Sequence, residues 1–239
     1  MEAPMQHTIS PVNIGNSVIG LKYKDGIMLA ADTAISYGSM KEVKGADRIA
    51  KLTEGTAFAC SGEMSDFQEI LRMLKEKSEN DDIQNDGVTL KTGDYFNYLS
   101  RVQYQRRMKM DPLWVTTIMG GVDKKTGEPF LGQIDMYGLK LKENFHLTGL
   151  AAHYCQVLLQ NAWSPNMTES EAVNVIEQCI RVLFYRDKKA TDEIRICKIT
   201  KENGVEFSPK YRVATEWNLD FYKTKTNEFW RPMRLMERK

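Results

Sequence analysis

The 239-residue sequence has almost no excess charge: 33 lysines and arginines face 32 aspartates and glutamates, a formal net charge of +1. Electrostatics alone therefore gives no reason to expect nucleic acid or an anionic membrane as a partner. No run of about 18 apolar residues occurs, so no membrane-spanning helix is expected. The opening MEAPMQHTISPVN lacks the charged and apolar regions of a secretory signal. Histidine is scarce, and His7, His146 and His153 show no ligand spacing. The cysteines, Cys60, Cys155, Cys179 and Cys197, are far apart and form no CxxC or Cys/His cluster. That excludes a recognisable zinc site, and no metal or cofactor is expected. Each cysteine sits in an apolar stretch, which favours buried free thiols in a reducing compartment over a disulfide framework. Low-complexity segments and fixed-period repeats are also missing.

What is present is a two-fold grammar. SVIGLKY (17–23) and IMLAA (27–31) flank Lys24-Asp25-Gly26, and Asp-Gly between strand-like runs predicts a hairpin. RIAKLT (48–53) and TAFAC (56–60) follow, joined by Glu54-Gly55. The period then changes: Phe67, Ile70, Leu71 and Leu74 recur at helical spacing, with Ser65 and Gln68 as a capping-box start. The polar stretch SENDDIQNDG (78–87) is expected to be a loop. A second helix covers about 92–109, with Tyr95, Leu99 and Val102 on one face. Its basic end, Arg101, Arg106, Arg107 and Lys109, suits the helix macrodipole; a phosphate site is the sharper alternative. DPLW (111–114) stops the helix through its proline.

The second half repeats the order. VTTIMGGV (115–122), FLGQIDMYG (130–138) and FHLTG (145–149) read as strands. A helix over about 151–162 is followed by one that starts at Thr168, capped with Glu171. EIRICKIT (193–200) and GVEFSPKYRV (204–213) close the pattern as strands. Strands, two helices, strands, two helices and strands again fit antiparallel sheets with helices segregated outside, an α+β class. The strands near 17–31 are apolar on nearly every residue and so are expected to be covered on both faces. The last stretch, 214–239, is rich in aromatics, Trp217, Phe221, Tyr222, Phe229 and Trp230, with weak periodicity. Such composition suits an arm that docks on another subunit better than a solvated tail.

The element order resembles the four-layer αββα sandwich of N-terminal nucleophile hydrolases. GNSVIGLKYKDGIMLAAD (15–32), SYGS (36–39), DRIAKL (47–52) and CSGEMSDFQ (60–68) resemble the beta subunits of the eukaryotic 20S proteasome. RRMKMDPLW (106–114), Gly120-Gly121 and RVLFYRD (181–187) are most similar to its non-catalytic beta-seven type. The resemblance runs from about residue 15 to about 215 and implies three parts: an extension over 1–14, the family domain over 15–213, and the arm over 214–239.

Active members of that family attack with an N-terminal threonine, whose own amine joins a lysine and an aspartate in the proton transfer. By the resemblance the threonine position falls on Asn16 and the lysine position on Arg48. Two supporting serines fall on Leu150 and Ala190. The family aspartates remain as Asp32 and Asp187, and the oxyanion glycine as Gly62. A carboxamide is no nucleophile, and arginine cannot exchange a proton as a tuned lysine does. The resemblance therefore implies an inactive, structural subunit, in which Asp32 and Arg48 form a buried ion pair. Its partners would be beta subunits of the same and opposite ring and alpha-ring subunits, in cytoplasm and nucleus. The alternative is a working peptidase that uses Ser17 after trimming. A one-residue shift along a strand turns the side chain to the opposite face, so Ser17 is expected to point away from Arg48 and Gly62.

Overall fold

The structure is a computed structural model that describes residues 11–84 and 86–216. From the N-terminus come β1 (Asn13–Gly15), β2 (Val18–Tyr23), β3 (Gly26–Asp32), β4 (Ile35–Tyr37), β5 (Met40–Val43), β6 (Ile49–Thr53) and β7 (Thr56–Glu63). Two helices follow, α1 (Met64–Gln84) and α2 (Thr92–Met108), then β8 (Val115–Val122), β9 (Pro129–Ile134), β10 (Lys140–Leu141) and β11 (Phe145–Leu147). Helices α3 (Ala151–Tyr154), α4 (Gln156–Ala162) and α5 (Glu169–Arg186) precede β12 (Glu193–Thr200), β13 (Gly204–Phe207) and β14 (Tyr211–Arg212).

All strand pairs described are antiparallel and form two sheets. One runs β10-β9-β8-β7-β1-β4-β5, with β6 also on β7; the other runs β11-β2-β3-β12-β13, with β14 also on β12. Strand β3 shows why they stack. Its period of two sends Ile27, Leu29 and Ala31 into the core between the sheets, and Met28 and Ala30 into the core under α3–α5. The inter-sheet core also takes Val18, Ile118 and Ile199. Close approach is set by glycine: a Cβ on Gly20 would lie 2.8 Å from Ile118 Cγ2, and one on Gly120 would lie 2.8 Å from Ile27 Cγ2. On the far side of the first sheet, Phe67, Ile70 and Leu74 of α1 and Tyr95, Phe96 and Leu99 of α2 pack against Phe58 and Met119. Outside the second, Ile176, Cys179 and Leu183 of α5 cover Ile19, Leu21 and Met28. Each fully buried aliphatic side chain of this kind contributes roughly 1.5–3 kcal/mol. The layers are helix, sheet, sheet, helix, the αββα sandwich expected from the sequence.

Several local expectations are corrected. Helix α1 runs on to Gln84, so most of 78–87 is helical rather than loop. Once Phe67, Ile70 and Leu74 anchor the helix, each added turn costs little, because nucleation is already done. Asp81 then accepts the Leu90 amide at 2.8 Å and ties the helix end to α2's entry. Ser65 does not cap α1: the helix starts at Met64, and the Ser65 hydroxyl donates to Glu63 at 3.1 Å. The helix expected over 151–162 is split at Cys155, where α3 ends and α4 begins. The strand expected over 204–213 breaks between β13 and β14 at Ser208-Pro209. Thr168 does cap α5 with Glu171 in a capping box. All four cysteines are buried and free. No helix among the described residues is long and apolar enough to cross a membrane.

Candidate functional site

Asn16 lies in the short link between β1 and β2, and the chain is fixed on both sides of it. Asn13, Ile14 and Gly15 pair with Tyr37, Ser36 and Ile35 of β4. On the other edge Ile14 and Gly15 pair with Glu63 and Gly62 of β7. The buried Glu63 carboxylate accepts the amides of Val12 and of Asn13, the latter at 3.0 Å. Strand β1 is thus interior to its sheet and joins β4 and β5 to β7.

Arg48 enters the same region from the start of β6. It is only 1% exposed. Its guanidinium pairs with the Asp32 carboxylate, and it donates to the Asp32 carbonyl at 3.0 Å and the Ser17 carbonyl at 2.7 Å. One side chain therefore links the first sheet to the end of β3 and the start of β2 in the second. Asp32 also accepts the Thr191 amide at 3.1 Å, which adds the segment after α5 to the knot. Burial pushes the Asp32 carboxyl upward, and the facing Arg48 charge opposes that shift. Arg48 needs Gly15 beside it: a Cβ there would stand 2.6 Å from Arg48 Cδ and 2.9 Å from Nη1.

Next to this knot is a cavity of about 470 Å³, lined among others by Gly15, Asn16, Gly62, Trp114, Leu150 and Asp187. The Asn16 Nδ2 amide has no hydrogen-bond partner among the described residues, and neither has Asp187 Oδ2. The other Asp187 oxygen accepts the Lys189 amide at 2.9 Å. Gly62, at φ +117°, has no room for a side chain: its Cβ would fall 2.1 Å from the Trp114 carbonyl oxygen. Leu150 shows 40% of its surface at the cavity wall and carries no hydroxyl. Ala190 is buried, with its amide on Asp187 O at 3.2 Å and its carbonyl taken by Lys41 at 2.5 Å. The structure thus brings Asn16, Gly62, Leu150 and Asp187 around one space, sets Asp32 and Arg48 behind it, and places Ala190 behind Asp187.

Ser17 is turned elsewhere. Its Oγ accepts the Ala151 amide at 3.0 Å at the start of α3, and it is not among the cavity's lining residues. The nearby Cys60 thiol is no substitute, because burial pushes it up to about 12 despite a 3.1 Å contact to the Thr117 hydroxyl. The aromatic residues Trp217, Phe221, Tyr222, Phe229 and Trp230 lie outside the described residues. Just before them the chain is held on α5: Arg181 donates to the Ala214 carbonyl at 3.0 Å, and Tyr185 donates to the Glu216 carbonyl at 2.9 Å.

Residues 12–199 match the family described as Proteasome subunit. The chain is 38% identical to "Proteasome subunit beta type-4" of Arabidopsis thaliana, over 94% of this chain and 90% of that one. The chain belongs to the proteasome beta-subunit family. It is also 34% identical to the beta type-4 subunit of Xenopus laevis, over 90% of this chain and 89% of the relative. For "Proteasome subunit beta type-7" of Saccharomyces cerevisiae the identity is 33%, over 92% and 86%.

At the site of this proteasome-family chain, two features escaped sequence reasoning. One is β1 itself; the other is Glu63, whose carboxylate fastens it. VNIG is too short to show a period, and a lone glutamate after Ser61-Gly62 reads as solvent-exposed. The signal that existed was Val12 and Ile14 on either side of Asn13, immediately ahead of the strand expected at 17–23.

Proposed function

We propose that this chain is a non-catalytic, structural beta subunit of a proteasome core particle. The observation that carries the reading is the strand at Asn13–Gly15. While this strand stays joined to it, Asn16 has an ordinary amide where catalysis would need a terminal amine. The ladder place beside Gly62 is taken by Gly15 of the same chain. Asn16 supplies a carboxamide where an attacking oxygen is required, and Arg48 supplies a guanidinium that holds a fixed charge. Cutting the chain before Asn16 would remove β1 and the contact that joins β4 and β5 to β7.

In this role the chain completes a beta ring, contacts alpha-ring subunits, and shapes the wall beside active neighbours in particles of the cytoplasm and nucleus. Residues 214–239 form the arm that helps hold two half-particles together. A chain cut after Glu216 is expected to give fewer full particles, and normal amounts of full particle would refute the arm's role. The rival reading, catalysis by Ser17 after trimming, requires that side chain in the cavity; instead its hydroxyl accepts the Ala151 amide. The test is a peptidyl epoxyketone, whose ketone carbon takes the hydroxyl and whose epoxide is opened by the paired terminal amine, applied to the assembled particle. Labelling is expected on other subunits and not on this chain; an adduct on Ser17 would overturn the proposal.

A further inference from the structure

The end of α2 and the turn after β9 build one surface. The Ser100 hydroxyl donates to the Gly138 carbonyl at 2.8 Å, and a Cβ on Gly138 would lie 2.9 Å from Tyr104 Cβ. Arg107 stacks over the Tyr137 ring at 5.2 Å. The turn is held from within. Asp135 Oδ1 accepts the amides of Tyr137 at 2.9 Å and Leu139 at 2.8 Å, which leaves both side chains outside. Tyr104, Met108, Tyr137, Leu139 and Leu141 are all exposed there, all but Leu141 by half or more. Strand β10 beside them is an open edge of the first sheet.

This mixture is that of a protein contact. Tyrosine, methionine and arginine are enriched in interface cores, and a turn already fixed in shape loses little entropy on docking. Isolated exposed apolar residues need no explanation, but five carried by one helix end and by the turn and strand packed against it do. The charge pattern states what the partner carries. Segments 101–110 and 137–142 contain no acidic residue and carry Arg101, Arg107, Lys109, Lys140 and Lys142, of which Arg107 lies directly over Tyr137. Arg106 is already paired with Asp111. A symmetric contact with a second copy would bring the same cations face to face.

We propose that this surface is a docking face for a different protein chain, one that presents an apolar centre rimmed by carboxylates. The inference rests on the assembly reading above: within a particle the occupant is a neighbouring subunit that is not this chain. The apolar centre, rather than a purely basic stripe, distinguishes it from a phosphate-binding surface.

A benzophenone amino acid at position 137 of the full chain, incorporated into the native particle and irradiated, tests this. Mass spectrometry of the cross-linked peptides is expected to show a different subunit, joined within a segment that carries aspartate or glutamate beside apolar residues. Reversing Arg107 and Lys140 to glutamate is expected to lower that yield at least about fivefold while position 137 stays unaltered. A chain that sediments with the particle but cross-links to nothing, to lipid, to nucleic acid or to another copy of itself would overturn this inference alone. So would a yield unaffected by the charge reversal. A chain that never enters a large particle would instead overturn the assembly reading, and this inference with it.

Discussion

Arg48 and Arg72 are both arginines beside carboxylates, and they contribute very differently. Arg72 lies on the outer face of α1, where it bonds Glu69 at 2.8 Å and Glu76 at 3.0 Å. Its side chain is 63% exposed, so water competes for every one of those bonds. Arg48 meets one carboxylate and two carbonyls, fewer carboxylates than Arg72, yet its side chain is 0% exposed and joins two sheets. Counting ion pairs would rank the surface arginine higher; burial reverses the order. A buried pair offers little net gain over apolar side chains of equal size, but losing one member leaves a charge with nothing to answer it. The same knot that resembles a proton-transfer site thus serves as a clasp.

The largest expected effect comes from breaking that clasp. Arg48→Ala leaves Asp32 buried and unpaired and should cost about 3–5 kcal/mol in urea denaturation of the full chain. Arg48→Met combined with Asp32→Asn should recover much of the loss of Arg48→Met alone, since no orphan charge remains. Strict additivity of the two single changes, or an Arg48→Met chain that assembles unchanged, would contradict the clasp.

A buried group that rejects charge sharpens the comparison next. Burial, helped by the nearby Lys22 charge, pushes His146 from 6.5 down to about 4, and its Nε2 accepts the Glu143 amide at 3.2 Å. The unfolded chain takes up a proton near 6.5 that the folded chain refuses until about pH 4. Stability is therefore complete above about 6.5 and declines as the pH falls toward about 4, by up to about 3 kcal/mol. His146→Gln should flatten that part of the pH profile of urea midpoints. An equal slope in both chains would remove the histidine from the account.

The smallest effect belongs to the surface. Arg72→Ala should leave the urea midpoint within error, and raising the salt should change nothing further. A clear loss of stability there would mean that exposure does not separate the two arginines.

How much of this was legible in the sequence follows from the range of the forces. The Lys24-Asp25 hairpin and the Thr168 cap depend on neighbours in the chain, and both stand where turn and capping chemistry put them. Strands whose two faces are both covered, such as β3, announce themselves by unbroken apolarity. Residues 78–84 look like loop by their own polarity, but helix continuation depends on an anchor laid down earlier and on Leu90 and Tyr95 across the turn. The short strands β4, β5 and β10 have no period of their own and exist because a neighbour offers an edge. At the site, resemblance pointed to seven positions, of which Asn16, Gly62, Leu150 and Asp187 line one cavity while Asp32, Arg48 and Ala190 stand behind it. The Arg48–Asp32 pair and the outward turn of Ser17 follow from resemblance and strand period; that Arg48 also holds the Ser17 carbonyl, and that the Ser17 hydroxyl takes the Ala151 amide, depends on contacts between residues distant in the chain, which only the folded molecule shows.

The most direct measurement is the N-terminal residue of this chain in the assembled particle, from the intact mass of the separated subunit. A structural subunit that keeps β1 must begin at or before Asn13, so that Asn13–Gly15 stay in the sheet. A mature chain that begins at Asn16 or Ser17 would contradict the account, because it would expose the terminal amine that catalysis needs and remove the strand on which the fold at this site depends.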